Sequence, residues 1–567
     1  MSTVSVDPAD FLTWTWDDYR PIYEELASRN LDESTVGDFL VDWSAVADRA
    51  GEQGQRLHVA SDANTADAAA ADALQRYTRD IQPQAQAATH RLQSKLLQSG
   101  LQPESMEFPL SVMKNDAALF RQENLPLKTT ETMLGRTYYE ITGAQTITWD
   151  GAEIPISEVQ RALEEPARDR REAAWRLAAQ RRANDRDSVG RVWKSLLETR
   201  TEIASNAGLP DYRAYRWQEM HRFHYTPDDA KRFDLAVEQV VVPSLARRCR
   251  LRAGHLGIPS MRPWDLVVDE YGRPGLVPFQ NGEELLAGSS RMFHRVNPVL
   301  GSYFDTMREE QLLDLEPRAN KSPGGYCTVF DASRRPFIFL QGSKTHGDVE
   351  TVMHEGGHAF HVFETNHLPY HQQRSQECLP MEFAEVASMA MELLSEPYLA
   401  REEGGFYSAQ DAARARRYHL DGLLFLWSYI AVGDLFQHWV YEHPKEALDL
   451  DRVDAEWTSL TYRFFPEVDW TGLETELGSQ WQSILHFFVV PFYMIDYGLA
   501  QLGAVQVWAN SLQDPEAAIA KYRHALSLGA TRPLPELFAA AGAKFSLGEQ
   551  ALRDAVGLIE QKLGETD

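Results

Sequence analysis

The sequence predicts a mainly α fold, a large helical protein with one small β-sheet, and three observations predict it. Apolar residues recur at helical intervals over most of the chain. The one clear β-prone block near chemistry-bearing residues, Tyr326 to Gln341, is short and preceded by Pro and Gly. A capping box at Thr345 and Asp348 opens a helix just beyond it. At 567 residues the chain is several times the usual domain size. Two interleaved lobes are therefore expected, an N-terminal helical lobe over residues 1–205 and a lobe over residues 206–567 that carries the chemistry.

In chain order, the Ala-rich stretch Ala63 to Ala73, the amphipathic run 84–99 and the charged run Pro166 to Arg200 read as helices, with a capping box at Ser157 and Gln160. Between Thr146 and Pro155 a β-prone interval with Asp150-Gly151 as its turn predicts a hairpin between helices. This half reads as scaffold. Beyond Leu209-Pro210 the pattern stays helical to about Leu315, where Asn320-Lys321-Ser322-Pro323-Gly324-Gly325 breaks it. Phe337-Ile338-Phe339-Leu340 is too short for a helix between its flanks and reads as a strand. Its edge could pair with an extended peptide, which makes Phe337, Ile338 and Phe339, with Gly324 and Gly325, the expected substrate-binding surface; a buried strand with no part in binding is the other reading.

The composition excludes several functions. With 56 basic against 83 acidic residues the net charge is -27, which repels phosphate backbones and argues against a nucleic-acid partner. Cys249, Cys327 and Cys378 are odd in number and form no CxxC pair, so neither a disulfide framework nor a thiolate zinc site is indicated. The N-terminal sequence has no basic segment leading into an apolar one. The stretch 484–508, nearest to a membrane span, is interrupted by His486, Pro491 and Asp496. A cytoplasmic protein without a membrane partner is expected. Gly342-Ser343-Lys344-Thr345 lacks the spacing of a phosphate loop.

The chemistry concentrates at His354-Glu355-Gly356-Gly357-His358. On a helix, imidazoles at i and i+4 share a face and can reach one zinc ion, while the glutamate between them can hold and deprotonate a water. Two adjacent glycines oppose the helix by about 1 kcal/mol each relative to alanine, so a backbone or ligand must approach closely there. A catalytic zinc needs a third protein ligand. The next apolar helix offers Glu382 and Glu385, at i and i+3 on one face.

The run His354 through His361, HExGHxxH, followed by a Glu-x-Ala-Ser helix at Glu385 to Ser388, resembles the thimet oligopeptidase and oligoendopeptidase F family of zinc metallopeptidases. The resemblance runs from about Pro323 to Glu396 and resumes near residue 486, closest to oligoendopeptidase F-like members. It implies that Glu385 is the third ligand to one Zn2+, that Glu382 supports a ligand histidine from behind, and that His361, also part of the pattern, is a packing or supporting residue and not a ligand. A second block, His486 to Tyr497, is similar to the family's C-terminal His/Tyr segment, which implies that His486, Tyr493 and Tyr497 act on the substrate carbonyl. Two positions depart from the family pattern. Gly356 stands where a bulkier residue is usual, which is expected to open space beside the metal, and the His486-to-Tyr493 spacing is about one residue longer.

The resemblance further implies a two-lobed helical ellipsoid with a deep central cleft, acting on short unstructured peptides. The expected function is zinc-dependent endopeptidase action with Glu355 as general base and acid. Two other readings remain open from sequence. A zinc carboxypeptidase of similar architecture would need a cation for the terminal carboxylate, with Arg334, Arg335 and Lys344 as candidates. A non-catalytic peptide-binding protein would not need His354, Glu355, His358 and Glu385 all intact.

Overall fold

Helices form where the sequence signals place them. In the computed structural model, which describes residues 10–566, the amphipathic run lies in the helix Gln82–Ser99, and the Ala-rich stretch is helical from Ala68, in Ala68–Arg76, with residues 64–67 separating it from the preceding helix Val36–Ala63. Asp67 caps Ala68–Arg76 by accepting from Ala69 and Ala70. Among the described residues no helix is long and apolar enough to cross a membrane.

The chain divides into two compact units, each assembled from separate stretches. The first comprises Met1–Ala118, Val277–Ala412 and Gly503–Phe545. One of its cores gathers Tyr19, Tyr23, Phe39, Leu40 and Trp43 with Leu92 and Leu96. It also holds the three-stranded sheet, in the order Leu313–Asp314, Arg335–Gln341, Gly324–Phe330. Arg335–Gln341 is thus the middle strand, parallel to the first, with Leu313 opposite Ile338, and antiparallel to the last, with Gly324 opposite Gln341. This corrects the expectation of a free edge at Phe337, Ile338 and Phe339. All three are buried and the strand is paired on both sides. An unbroken apolar run is the mark of a strand covered on both faces, not of an edge. The edges of this sheet are Gly324–Phe330 and the two-residue Leu313–Asp314, and the first is the longer of the two.

The second unit comprises Leu119–Leu276, Ala413–Leu502 and Ser546–Asp567. The expected hairpin is present, with Thr146 opposite Pro155 and Trp149 opposite Ala152. Asp150 and Gly151 both take positive φ, 50° and 80°, as a two-residue turn between twisted strands requires. The capping box expected at Ser157 is not formed. Ser157 lies in the 3-10 turn Ile156–Glu158, and the charged run instead forms helices Arg168–Asn184 and Arg186–Asn206. Helical continuity to Leu315 also fails. Between the helices Pro227–Leu256 and Gly282–Val296 only the short turn Pro263–Asp265 is helical, because Pro259, Pro263, Pro274 and Pro278 fall within 20 residues of one another.

Candidate metal centre

Asp348 fixes the start of the helix His346–Glu364. Its carboxylate accepts from the N–H of Thr345 at 3.0 Å and of Ser343 at 2.8 Å, completing the capping box. The motif therefore lies in mid-helix, where the two glycines meet close neighbours. A Cβ on Gly357 would stand 2.4 Å from the Ala387 carbonyl oxygen and 2.6 Å from the Ser388 Cα. The backbone of the helix Met381–Ser395 occupies that space. A Cβ on Gly356 would stand 2.5 Å from Phe293 Cζ, so the room expected beside the metal is filled by an aromatic ring of the helix Gly282–Val296.

This close approach delivers the third donor. Glu385 Oε2 lies 3.4 Å from His354 Nε2 and 3.6 Å from His358 Nε2. The two imidazole rings stand 5.1 Å apart at 82°. Donors that share a tetrahedral zinc at about 2.0–2.1 Å are about 3.3–3.5 Å from one another, so the three side chains fit such an ion. Burial lowers the His358 pKa to about 4, which keeps its ring neutral with a lone pair available. Ser388 steadies Glu385 by donating its hydroxyl to Oε2 at 2.9 Å.

A further carboxylate completes the arrangement and is not among the residues singled out from sequence. Glu392 Oε1 lies 2.6 Å from His354 Nδ1. Because Glu385 and Glu392 are seven residues apart on one helix, they share a face two turns apart, and that spacing was the available signal. The partner role expected of Glu382 is filled, at His354, by Glu392. Glu382 is buried one turn before Glu385. His361 does not join the donor cluster. It is buried edge-on to Phe383, and burial takes its pKa down to about 3, so it packs as a neutral ring.

Glu355 is 7% exposed, and its pKa is pushed up to about 7. Burial is the main cause. The charge of His354 and the backbone N–H of Cys327 pull it down, and Glu385 pushes it up. Cys327 belongs to the edge strand Gly324–Phe330, which puts the main chain of that strand beside Glu355. At its start Gly324 takes φ +99° with open space where a side chain would be, whereas a Cβ on Gly325 would crowd Thr351 and Leu340.

His486, Tyr493 and Tyr497 belong to the second unit and cluster with one another. Ring centroids are 6.2 Å apart for His486 and Tyr493, 6.0 Å for His486 and Tyr497, and 5.1 Å for the two tyrosines. All three are partly exposed. The chain between them turns at Phe492, a buried residue held at φ +64°, in the left-handed region that costs a bulky side chain about 1–3 kcal/mol. Three arginines hold this turn, of which Arg200 comes from the stretch read as scaffold. Arg200 donates to the carbonyls of Phe487 at 2.8 Å and Phe488 at 2.9 Å, Arg216 to Pro491 at 3.1 Å, and Arg222 to Phe492 at 2.6 Å. Gln437 accepts the Phe492 N–H at 2.6 Å.

Of the cations considered for a terminal carboxylate, Arg335 is paired with Glu310 at 2.6 Å and Arg334 donates to the Asn366 carbonyl. A second group of donors, Asp48, Asp331 and His371, also converges. There Arg374 already pairs with Asp48 at 2.6 Å, so a cation is supplied by the chain itself.

A sequence model of peptidase family M3 matches residues 161–556. No curated protein matches the sequence. Among solved structures, PZ peptidase A with an inhibitor is similar at 22% identity and a TM-score of 0.89, covering 98% of this chain and 99% of that one. A candidate oligoendopeptidase F from Bacillus anthracis is similar at 21% identity and a TM-score of 0.85, covering 97% of this chain and 96% of its own. An oligoendopeptidase-F from Enterococcus faecium follows at 17% identity and a TM-score of 0.62, with 97% of each chain covered. At these identities the likeness is one of fold.

Proposed function

This chain belongs to peptidase family M3, and from that premise we propose that it is a zinc-dependent endopeptidase that hydrolyses internal bonds of short, unstructured peptides. The observation that carries the reading is the convergence of His354, His358 and Glu385, whose donor atoms lie within 4.8 Å of one another, beside a buried Glu355. These three side chains would hold one zinc ion per chain, which when bound polarises a carbonyl and lowers the pKa of a water. Glu355 takes the proton of the attacking water and returns it to the leaving amine; its raised pKa suits both steps near neutral pH. Glu392 holds His354 through Nδ1 and leaves Nε2 as the acceptor.

The edge strand Gly324–Phe330 takes the substrate main chain, in the role first expected of Phe337–Phe339. His486, Tyr493 and Tyr497 donate hydrogen bonds to the oxygen that gains charge during attack, an effect typically worth a few kcal/mol. All three cysteines are free, which accords with action in the cytoplasm.

The deciding experiment is mass spectrometry of an internally quenched peptide of about ten residues, blocked at both ends, incubated with wild type and with Glu355→Gln. Internal cleavage by wild type alone is expected. Shortening of an unblocked peptide from its C-terminus, with the blocked one intact, would replace this reading with a carboxypeptidase. Cleavage by Glu355→Gln at the wild-type rate would remove Glu355 from the reaction.

A further inference from the structure

The second unit contains a cavity of about 220 Å³ whose lining shares no residue with the metal centre. Its walls are mainly aromatic, among them Trp175, Phe425, Tyr429, Trp457 and Trp470. The rings of Trp175 and Trp470 are 6.0 Å apart, and Phe425 and Tyr429 stack at 6.2 Å. Into this apolar lining the helix Arg168–Asn184 brings one cation, Arg182.

Arg182 differs from the arginines around it. Arg171 pairs with Asp265 at 2.8 Å, Arg181 with Asp185 at 2.5 Å and Arg186 with Asp454 at 2.7 Å. Among the described residues Arg182 has no carboxylate partner. Burial lowers its pKa, and Tyr138 and Tyr429 oppose that only in part. A partly buried guanidinium without a counter-ion is costly, and an anion in the cavity would offset that cost. Arg182 is the one charged residue of the lining, which contains no carboxylate.

Aromatic walls alone would suit a quaternary ammonium, but Arg182 repels a cation. A zwitterionic amino acid would bring an ammonium group that no residue of the lining can neutralise. Size narrows the choice further. A dry cavity of about 150 Å³ accepts benzene, so this one has room for a single ring with a short acidic arm. We propose that this cavity is a binding site for a small aromatic monocarboxylate, with its ring against the tryptophans and its carboxylate on the Arg182 guanidinium.

The test is calorimetry and tryptophan fluorescence on the full chain with 3-phenylpropionate up to about 10 mM, a weak-binding range, beside 3-phenylpropionamide, phenethylamine and L-phenylalanine. Saturable binding of one acid per chain is expected, with no binding of the amine and weaker binding of the amide and the amino acid. Arg182→Met, which keeps an apolar stem and removes the charge, is expected to weaken the acid by roughly tenfold or more. Val432→Phe, which fills part of the cavity, is expected to abolish binding, with melting curves confirming that both variants fold. Absence of binding by wild type overturns the proposal. So does equal affinity for the acid and its amide, an arm that needs no variant. Binding that survives unchanged in folded Arg182→Met would place the acid elsewhere, the metal centre included, and overturns it as well.

Discussion

His354 Nδ1 and Glu392 Oε1 stand 2.6 Å apart, and this contact sets which nitrogen of His354 is free to meet an ion. A carboxylate behind a ligand histidine fixes its tautomer and ring orientation, and loss of such a partner typically lowers metal affinity by about 10–100-fold. Glu392→Gln is therefore expected to fold, to lose zinc to a competing chelator at about 10–100-fold lower concentration than wild type, and to hydrolyse peptide more slowly at limiting zinc. Saturating zinc should restore much of the rate. His354→Ala, His358→Ala and Glu385→Ala remove donors outright and should lose the metal under all these conditions. Full zinc occupancy in Glu385→Ala would remove Glu385 from the ligand set.

At Gly357 the helices His346–Glu364 and Met381–Ser395 approach closely, with backbone atoms of Ala387 and Ser388 2.4 and 2.6 Å from where a Cβ would lie. In an exposed helix, glycine to alanine would gain about 1 kcal/mol of propensity. Here the added methyl meets main chain, which cannot rotate away, and overpacking of this kind costs about 1–3 kcal/mol. Gly357→Ala is expected to melt at lower temperature and to lose activity, because separating the two helices draws Glu385 from the histidines. A variant as stable and as active as wild type would show that the two backbones have slack.

The difference between Gly356 and Gly357 marks how far the sequence could be read. The capping box, the helix and the need for a close neighbour at the glycines followed from local rules, and Thr345, Asp348 and Ala387 meet them. That Phe293 would fill the space at Gly356 did not follow, because it comes from a helix some sixty residues away and long-range packing leaves no local signature. The strand Arg335–Gln341 was legible as a strand from its composition, but its middle position depended on the two-residue strand Leu313–Asp314, too short to announce itself. Glu392 was legible in principle by its seven-residue offset from Glu385. The arginines at 200, 216 and 222 were not, since their partners are backbone carbonyls more than 250 residues on.

Arg200 is fully buried and ties the His486 segment to the helix Arg186–Asn206, with Glu131 at 2.7 Å and Tyr441 at 3.0 Å completing its shell. Removing a buried charge in a paired network leaves its partners unmatched, at about 3–5 kcal/mol. Arg200→Met should lower the melting temperature accordingly. If the arginine also positions His486 for the reaction, the folded fraction, measured below its melting point, should lose kcat more than it raises KM. Stability loss with unchanged kcat would make its role purely structural.

Asp234 and Asp434 are both fully inaccessible, and His438 Nε2 lies 3.1 Å from Asp434 Oδ2. Burial, and then the charge of Asp434, hold the Asp234 carboxyl well above the usual carboxylate range, which favours its protonated form in the folded protein. In the unfolded chain the same group ionises near pH 3.8. Between that value and the folded pKa the folded state binds the extra proton, so stability falls as pH rises, by about 1.4 kcal/mol per pH unit for one group. Asn at 234 keeps the size of the side chain and cannot ionise. Asp234→Asn is therefore expected to stabilise the protein increasingly from pH 5 to pH 8, read as a melting-temperature difference from wild type that widens with pH, while contributions common to both proteins cancel. A difference that stays flat across that range would mean that Asp234 is already ionised at pH 5 and that the buried pair carries its charge some other way.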